Sequence, residues 1–207
     1  MHFIWILHVA LIALGSGTSA ERVLIERNYI DYYKDIAVNE MHRSGIPASI
    51  KMAQGLIESQ AGQSKLAQNA NNHFGIKCKS TWTGPSYYKK DDDYDQQGRL
   101  KKSCFRAYAE VEQSFIDHTD FLVHRERYSD LFSYGKTDYV NWAIGLQRCG
   151  YATDKNYSKK VINIIEKHQL HLLDQSPMPT GEQPTEILMP AYRIPDDYRP
   201  GDGRRNR

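Results

Sequence analysis

The sequence predicts a predominantly helical α+β domain, with several amphipathic helices gathered round one apolar helix and a small β-hairpin set among them. Three observations carry this. Apolar residues recur at helical spacing in successive segments of the chain. Residues 47–61 are apolar round most of a helix and are bracketed by Pro47, which suits a helix start, and Gly62, which suits the residue just past an end. Tyr87-Tyr88 and the alternating stretch 100–108 flank an acidic run closed by Gly98, the pattern of two strands joined by a turn. With 207 residues and 40% hydrophobic content the chain can bury one substantial core and carry an appendage, whereas two domains would be cramped.

The two ends differ from the middle. Residues 3–14 are almost wholly apolar and are followed by Gly15-Ser16-Gly17-Thr18-Ser19-Ala20, small residues that fit a peptidase site after Ala20. Residues 1–20 are therefore expected to be a signal peptide, with the mature chain starting at Glu21, exported and without stable membrane insertion after cleavage. The apolar run is too short for a comfortable span. The folded domain is expected over residues 21–173. Six of the eight prolines fall in residues 174–207 beside Gly201 and Gly203, so that tail is expected to be extended or disordered.

Between these ends, Ile25, Tyr29, Tyr33, Ile36 and Met41 mark a first helix over 21–41 that leads through Ser44-Gly45 into the apolar one. In the apolar helix Ile50, Met52, Ala53, Leu56 and Ile57 face the core, leaving a narrow stripe of Lys51, Gln54, Gly55 and Glu58. Gly55 there would let another chain segment or a ligand come close. Ser64 can cap a short helix over 65–69, before a loop rich in asparagine and glycine. Val111, Phe115, His118 and Leu122 mark a helix over 110–127, Thr137-Asp138 opens another that ends near Gly150, and Thr153 can cap a last one. In that last helix Val161, Ile164, Ile165 and His168 face inward.

Glu58 sits in the last turn of the apolar helix. The carbonyl end of a helix and partial burial both disfavour a carboxylate, so both raise its pKa, which is what a general acid acting on a glycosidic oxygen near neutral pH requires. Position alone does not make it one, since a glutamate near a helix end is more often simply solvated. Other chemistries find less support. The acids of 91–95 are not followed by the closing glutamate of a calcium loop, and His118 with His124, or His168 with His171, have no acids or thiols at zinc spacing, so no metal and no cofactor is expected. A formal charge of +2 with dispersed basic residues gives nucleic acid no patch to bind. Fourteen tyrosines and three tryptophans suit both packing and sugar stacking. Cys78 and Cys104 bracket the hairpin and export permits a bridge between them, leaving Cys149 free; the other possibility is that all three stay reduced.

Five motifs in order then carry a resemblance: Ala53-Gln54-Gly55-Leu56-Ile57-Glu58-Ser59 with Gly62-Gln63-Ser64, Asn72-His73-Phe74-Gly75-Ile76-Lys77, Trp82-Thr83-Gly84, Phe105-Arg106-Ala107-Tyr108, and Gly150-Tyr151-Ala152-Thr153-Asp154 with Asn156-Tyr157. Together they resemble glycoside hydrolase family 73, the glucosaminidase domain of flagellar and autolysin-type peptidoglycan hydrolases, over residues 36–170. The resemblance implies a lysozyme-like fold whose hairpin lobe overhangs a sugar-binding groove, with Glu58 as general acid. It implies that Asn72, His73, Phe74 and Trp82 line the groove, although a structural role is the readier reading of His73. Asp93 falls where the family places its second acid, usually glutamate, with Asp91 and Asp92 competing for the role. Tyr157, ranked first, or Tyr151 would contact the sugar and support catalysis, unless their phenols merely pack. The implied function is an exported, monomeric, cofactor-free endo-β-N-acetylglucosaminidase of the bacterial cell envelope that acts on peptidoglycan glycan strands. A muramidase or lytic transglycosylase, or a glycan-binding protein without turnover, are the alternatives.

Overall fold

A computed structural model describes residues 18–94, 98 and 100–179, with the backbone alone at 91–94, 100 and 101. Most of the expected signal peptide, most of the expected tail and the tip of the acidic run lie outside the described residues. Six α-helices are present among those described: α1 (Ser19–Ser44), α2 (Ala48–Ser59), α3 (Lys65–Ala70), α4 (Val111–Val123), α5 (Tyr139–Arg148) and α6 (Tyr157–Lys167). Two strands, β1 (Ser86–Tyr94) and β2 (Leu100–Arg106), and two 3₁₀ helices, Glu126–Ser133 and Leu170–Gln175, complete them. None of these helices is long and apolar enough to cross a membrane.

The architecture is the one expected, a helical body with α2 at its centre. This helix packs against α1, α5, α6 and the final 3₁₀ helix. Ile50, Met52 and Ala53 have no exposed surface, and around them lie Phe115, Leu122, Trp142, Leu146, Val161 and Ile165, all fully buried. Each large apolar side chain so enclosed contributes about 1.5–3 kcal/mol. Tyr29, Tyr33, Ala37 and Met41 repeat every four residues and form the buried stripe of α1.

At Gly55 the Tyr29 side chain of α1 packs directly on α2. A Cβ there would stand 2.6 Å from the Tyr29 hydroxyl oxygen, so the missing side chain admits α1 and not a ligand. The end of α2 also differs from expectation. The helix stops at Ser59, and Gln60, Ala61 and Gly62 all take left-handed conformations (φ 54°, 54° and 78°). The turn is held by Ala61 N–H donating to Leu56 O at 2.9 Å and Gly62 N–H to Ser59 Oγ at 2.8 Å.

Other boundaries shift for local reasons. Gly45, at φ 83°, ends α1 and donates to Met41 O. Ser64 Oγ caps α3 and Asp138 caps α5, as expected. The expected helix over 110–127 stops at Val123, and a 3₁₀ helix that the periodicity does not announce buries Tyr128 and Leu131. Thr153 is not a cap; α6 begins four residues later, after Asp154 Oδ1 has accepted from Asn156 N–H at 2.8 Å. Nor does the folded unit end at Leu173. Asp174 is buried against the start of α2, and Ser176 O accepts from His42 Nε2 at 3.0 Å.

The hairpin is antiparallel, with Ser86 opposite Arg106 and Lys90 opposite Lys102. Residues 91–94, read from the sequence as loop, continue β1 past a register shift between Lys90 and Tyr94. A disulfide joins Cys78 to Cys104, as expected, and Cys149 is free. Phe105, Leu66, Ala70 and Ala107 form a small second core that seats the lobe on α3.

Candidate active site

A groove of about 580 Å³ runs between the body and the lobe side of the molecule. Glu58 of α2 stands at its foot, with Phe74 and Ile76 on one wall, Phe121 and Tyr151 on the other, and Lys77, Lys79, Arg106 and Arg125 around it. Glu58 is exposed on the groove side, and the residues around it still partly desolvate its carboxyl. That desolvation pushes its pKa up to about 7, against the opposing effect of a hydrogen bond with the Tyr157 hydroxyl. Water reaches the carboxyl from the groove side.

The two tyrosines lie one behind the other. Tyr151 is part of the groove wall, whereas Tyr157, ranked first from the sequence, is 3% exposed and sits one layer deeper with its ring centroid 5.2 Å from that of Tyr151. Gln54 Nε2 donates to Tyr157 Oη at 3.1 Å from the turn of α2 preceding Glu58. Burial first, and the neighbouring Glu58 carboxylate next, hold the Tyr157 phenol well above its ordinary pKa, so both tyrosines act as neutral hydrogen-bonding groups.

The remaining expected groove residues divide. Phe74 lines the groove as expected, stacked on His118 with centroids 4.1 Å apart and planes 7° from parallel. Asn72 and His73 do not. Asn72 is 1% exposed and spends its amide on backbone, donating to Ile76 O and Arg106 O and accepting from Ile76 N–H. It is the pin that fixes the loop against the base of β2. His73 is 3% exposed, with Nδ1 at 2.8 Å from Tyr29 Oη, and burial lowers its pKa to about 4. Trp82 stands behind the wall, its indole N–H donating to Pro85 O while the Arg106 guanidinium lies over the ring at 4.6 Å. Asp93 lies in β1 within the register shift between Lys90 and Tyr94, and its side chain is outside the described residues.

Sequence reasoning missed Lys51 and His118 as parts of this site. Lys51 Nζ lies 2.8 Å from His118 Nδ1, and His118 Nε2 lies 2.8 Å from Tyr151 Oη. The available signal was the polar stripe itself, because Lys51, Gln54 and Glu58 share one helix face. The groove cations were missed as well. Arg106, held by Asp117 through 2.7 and 2.8 Å contacts, closes the wall from β2. No group of three or more His, Cys, Asp or Glu side chains able to hold a metal ion occurs among the described residues.

A carboxyl at the foot of a groove between a helical body and a two-stranded lobe defines a lysozyme-like glycoside hydrolase domain. The chain belongs to the Glucosaminidase family, described as mannosyl-glycoprotein endo-beta-N-acetylglucosaminidase, whose profile matches residues 34–170. Its relatives include the peptidoglycan hydrolase FlgJ of Vibrio cholerae, 30% identical over 74% of this chain and 46% of that protein. The exo-glucosaminidase LytG of Bacillus subtilis is 33% identical over 61% of this chain and 46% of the relative. The chain thus spans less than half the length of these two curated relatives. The crystal structure of a peptidoglycan hydrolase mutant from Sphingomonas sp. A1 superposes with a TM-score of 0.60 at 31% identity, covering 71% of this chain and 97% of that one.

Proposed function

We propose that this protein hydrolyses peptidoglycan as an endo-β-N-acetylglucosaminidase, with Glu58 as the general acid that protonates the leaving oxygen of the β-1,4 bond after N-acetylglucosamine. The observation that carries this reading is the Glu58 carboxyl, exposed to a groove whose residues partly desolvate it. With a pKa raised to about 7, a large share of it is protonated at neutral pH, where an ordinary glutamic acid near 4.3 would have lost its proton. The peptidoglycan-hydrolase and glucosaminidase names of the relatives support the substrate class.

The groove suits such a strand. Tyr151, partly exposed, brings aromatic surface to it, and Lys79 and Arg125 bring positive charge to a polymer whose peptide stems carry carboxylates. Asp93 on the hairpin is the second carboxylate of the proposal, activating water or stabilising positive charge at the anomeric carbon. Its separation from Glu58 would decide between inversion and retention. Export through residues 1–20 and action in the cell envelope as a monomer complete the reading. Digestion of purified cell wall followed by mass spectrometry tests it. New reducing ends on N-acetylglucosamine are expected, and ends on N-acetylmuramic acid would refute the bond assignment.

A further inference from the structure

Lys51 is an unusual residue to find where it is. It has no exposed surface, and its Nζ lies over the Phe74 ring at 5.4 Å and 2.8 Å from an imidazole nitrogen. Enclosing an ammonium costs several kcal/mol unless it is well paired, and a Met or Leu of similar volume would fill the same space at no such cost. The charged groups facing it are Glu40 and Arg43 of α1 and Asp120 of α4. Both carboxylates are engaged by Arg43, at 2.7 and 2.9 Å. The short contact of Lys51 is instead with His118.

The chemistry of that contact has one outcome at the next residue. An ammonium donates and cannot accept, so His118 Nδ1 must offer its lone pair and the ring hydrogen must sit on Nε2. The imidazole is neutral, because burial, followed by the nearby Lys51 charge, holds its pKa well below the ordinary value. Stacking on Phe74 within 7° of parallel fixes the plane of the ring. Nε2–H then donates to Tyr151 Oη at 2.8 Å. With that lone pair taken, the hydroxyl proton of Tyr151 points away from His118, in a wall where the Tyr157 ring packs with its centroid 5.2 Å from that of Tyr151.

We propose that Lys51 and His118 are positioning residues for the reaction: through the fixed His118 tautomer, they orient the Tyr151 hydroxyl in the groove that Glu58 also lines. This rests on Glu58 being the proton donor of the groove. Lys51 has no exposed surface, and His118, 1% exposed, stands behind Tyr151 at the groove. Together they fix the orientation of a hydroxyl in the wall of that groove. Burial lowers the Lys51 pKa to about 7, so above that pH the amine gains a lone pair and the His118 tautomer can reverse.

Two measurements on the full chain test this. Long-range ¹⁵N–¹H correlation spectra of the wild-type protein below pH 7 read the His118 tautomer directly, and hydrogen on Nε2 is expected. Hydrogen on Nδ1 would overturn the proposal without bearing on Glu58. The second is a double-mutant cycle on hydrolysis of solubilised peptidoglycan strands. Lys51→Met should lower kcat by about tenfold with KM little changed, but should add less than about twofold in a Tyr151→Phe background, where there is no hydroxyl to orient. An equal loss in both backgrounds, or no loss in the wild-type background, would contradict it. Should Lys51→Met fail to fold, the wild-type tautomer still decides. If the wild-type protein releases no reducing ends from cell wall, the proposed function fails while the tautomer result stands by itself.

Discussion

Asp174 closes the first turn of α2, its Oδ1 accepting from Ser49 N–H at 2.8 Å and its Oδ2 from Ser49 Oγ–H at 2.7 Å. An acid from the last described turn thus satisfies orphan donors of the central helix and complements its dipole. Truncation after Leu173 should therefore destabilise the domain by about 1–3 kcal/mol, as loss of a buried charged cap does. Truncation after Met178 should leave thermal unfolding nearly unchanged. Equal melting temperatures for the two truncations would show that Asp174 contributes nothing.

The same carboxyl gives a pH signature. Burial raises its pKa to about 6, above the value near 3.9 expected in the unfolded chain. The folded state therefore binds the proton more tightly, and this contribution to stability is fully present below about pH 4 and lost as pH rises to about 6. Relative to Asp174→Asn, the wild type should lose stability across that window and run parallel above it. Denaturant unfolding at pH 4, 5, 6 and 7 measures the difference, and a gap that widens in favour of the wild type with rising pH would be the wrong sign.

Gly55→Ala should be destabilising by about 1–3 kcal/mol through overpacking, because the new methyl would meet the Tyr29 hydroxyl at 2.6 Å. Displacing that phenol also disturbs its hydrogen bond with His73. Gly55→Ala combined with Tyr29→Phe should recover part of the loss. No recovery in thermal unfolding would locate the strain elsewhere.

The Cys78–Cys104 bridge spans 26 positions and ties the hairpin to the body. Replacing both by Ser should cost about 3 kcal/mol of stability. Non-reducing peptide mapping checks the pairing, and a bridged peptide containing Cys149 would contradict it.

What was legible in the sequence was local. The apolar helix with Glu58 in its last turn, the Ser64 and Asp138 caps, the hairpin and its bracketing cysteines each depend on neighbours a few residues apart. What was hidden depends on distance along the chain. The Ser49–Asp174 cap joins residues 125 apart and the Lys51–His118 contact residues 67 apart, so nothing in either neighbourhood announces the partner. Gln60 and Ala61 take left-handed conformations that favour glycine, which is why Gly62 alone drew attention and the helix end was placed too late. The resemblance put Asn72 and His73 in the groove, but their polar groups pair within the protein, which for His73 is the structural role read as the readier one.

The pH dependence of hydrolysis follows from the raised pKa of Glu58. If the protonated carboxyl is the active form, kcat should fall as pH rises through about 7. For stability, a folded pKa above the unfolded value of about 4.3 means that the ionised form is disfavoured in the fold. Glu58→Gln should thus match the wild type below about pH 4 and be equal or more stable above pH 7. An alkaline limb in the rate profile that survives unchanged in a Lys51→Met variant would assign it to Glu58, and a shifted limb would assign it to the Lys51–His118 pair.

The most direct measurement is the rate at which Glu58→Gln releases reducing ends from purified peptidoglycan, with its fold checked by circular dichroism. The amide keeps the size and much of the hydrogen bonding of the acid but cannot give a proton to the leaving oxygen. A loss of about two to four powers of ten with the fold intact is the expected result. A folded Glu58→Gln protein digesting peptidoglycan at close to the wild-type rate would contradict the assignment of Glu58 as the acid.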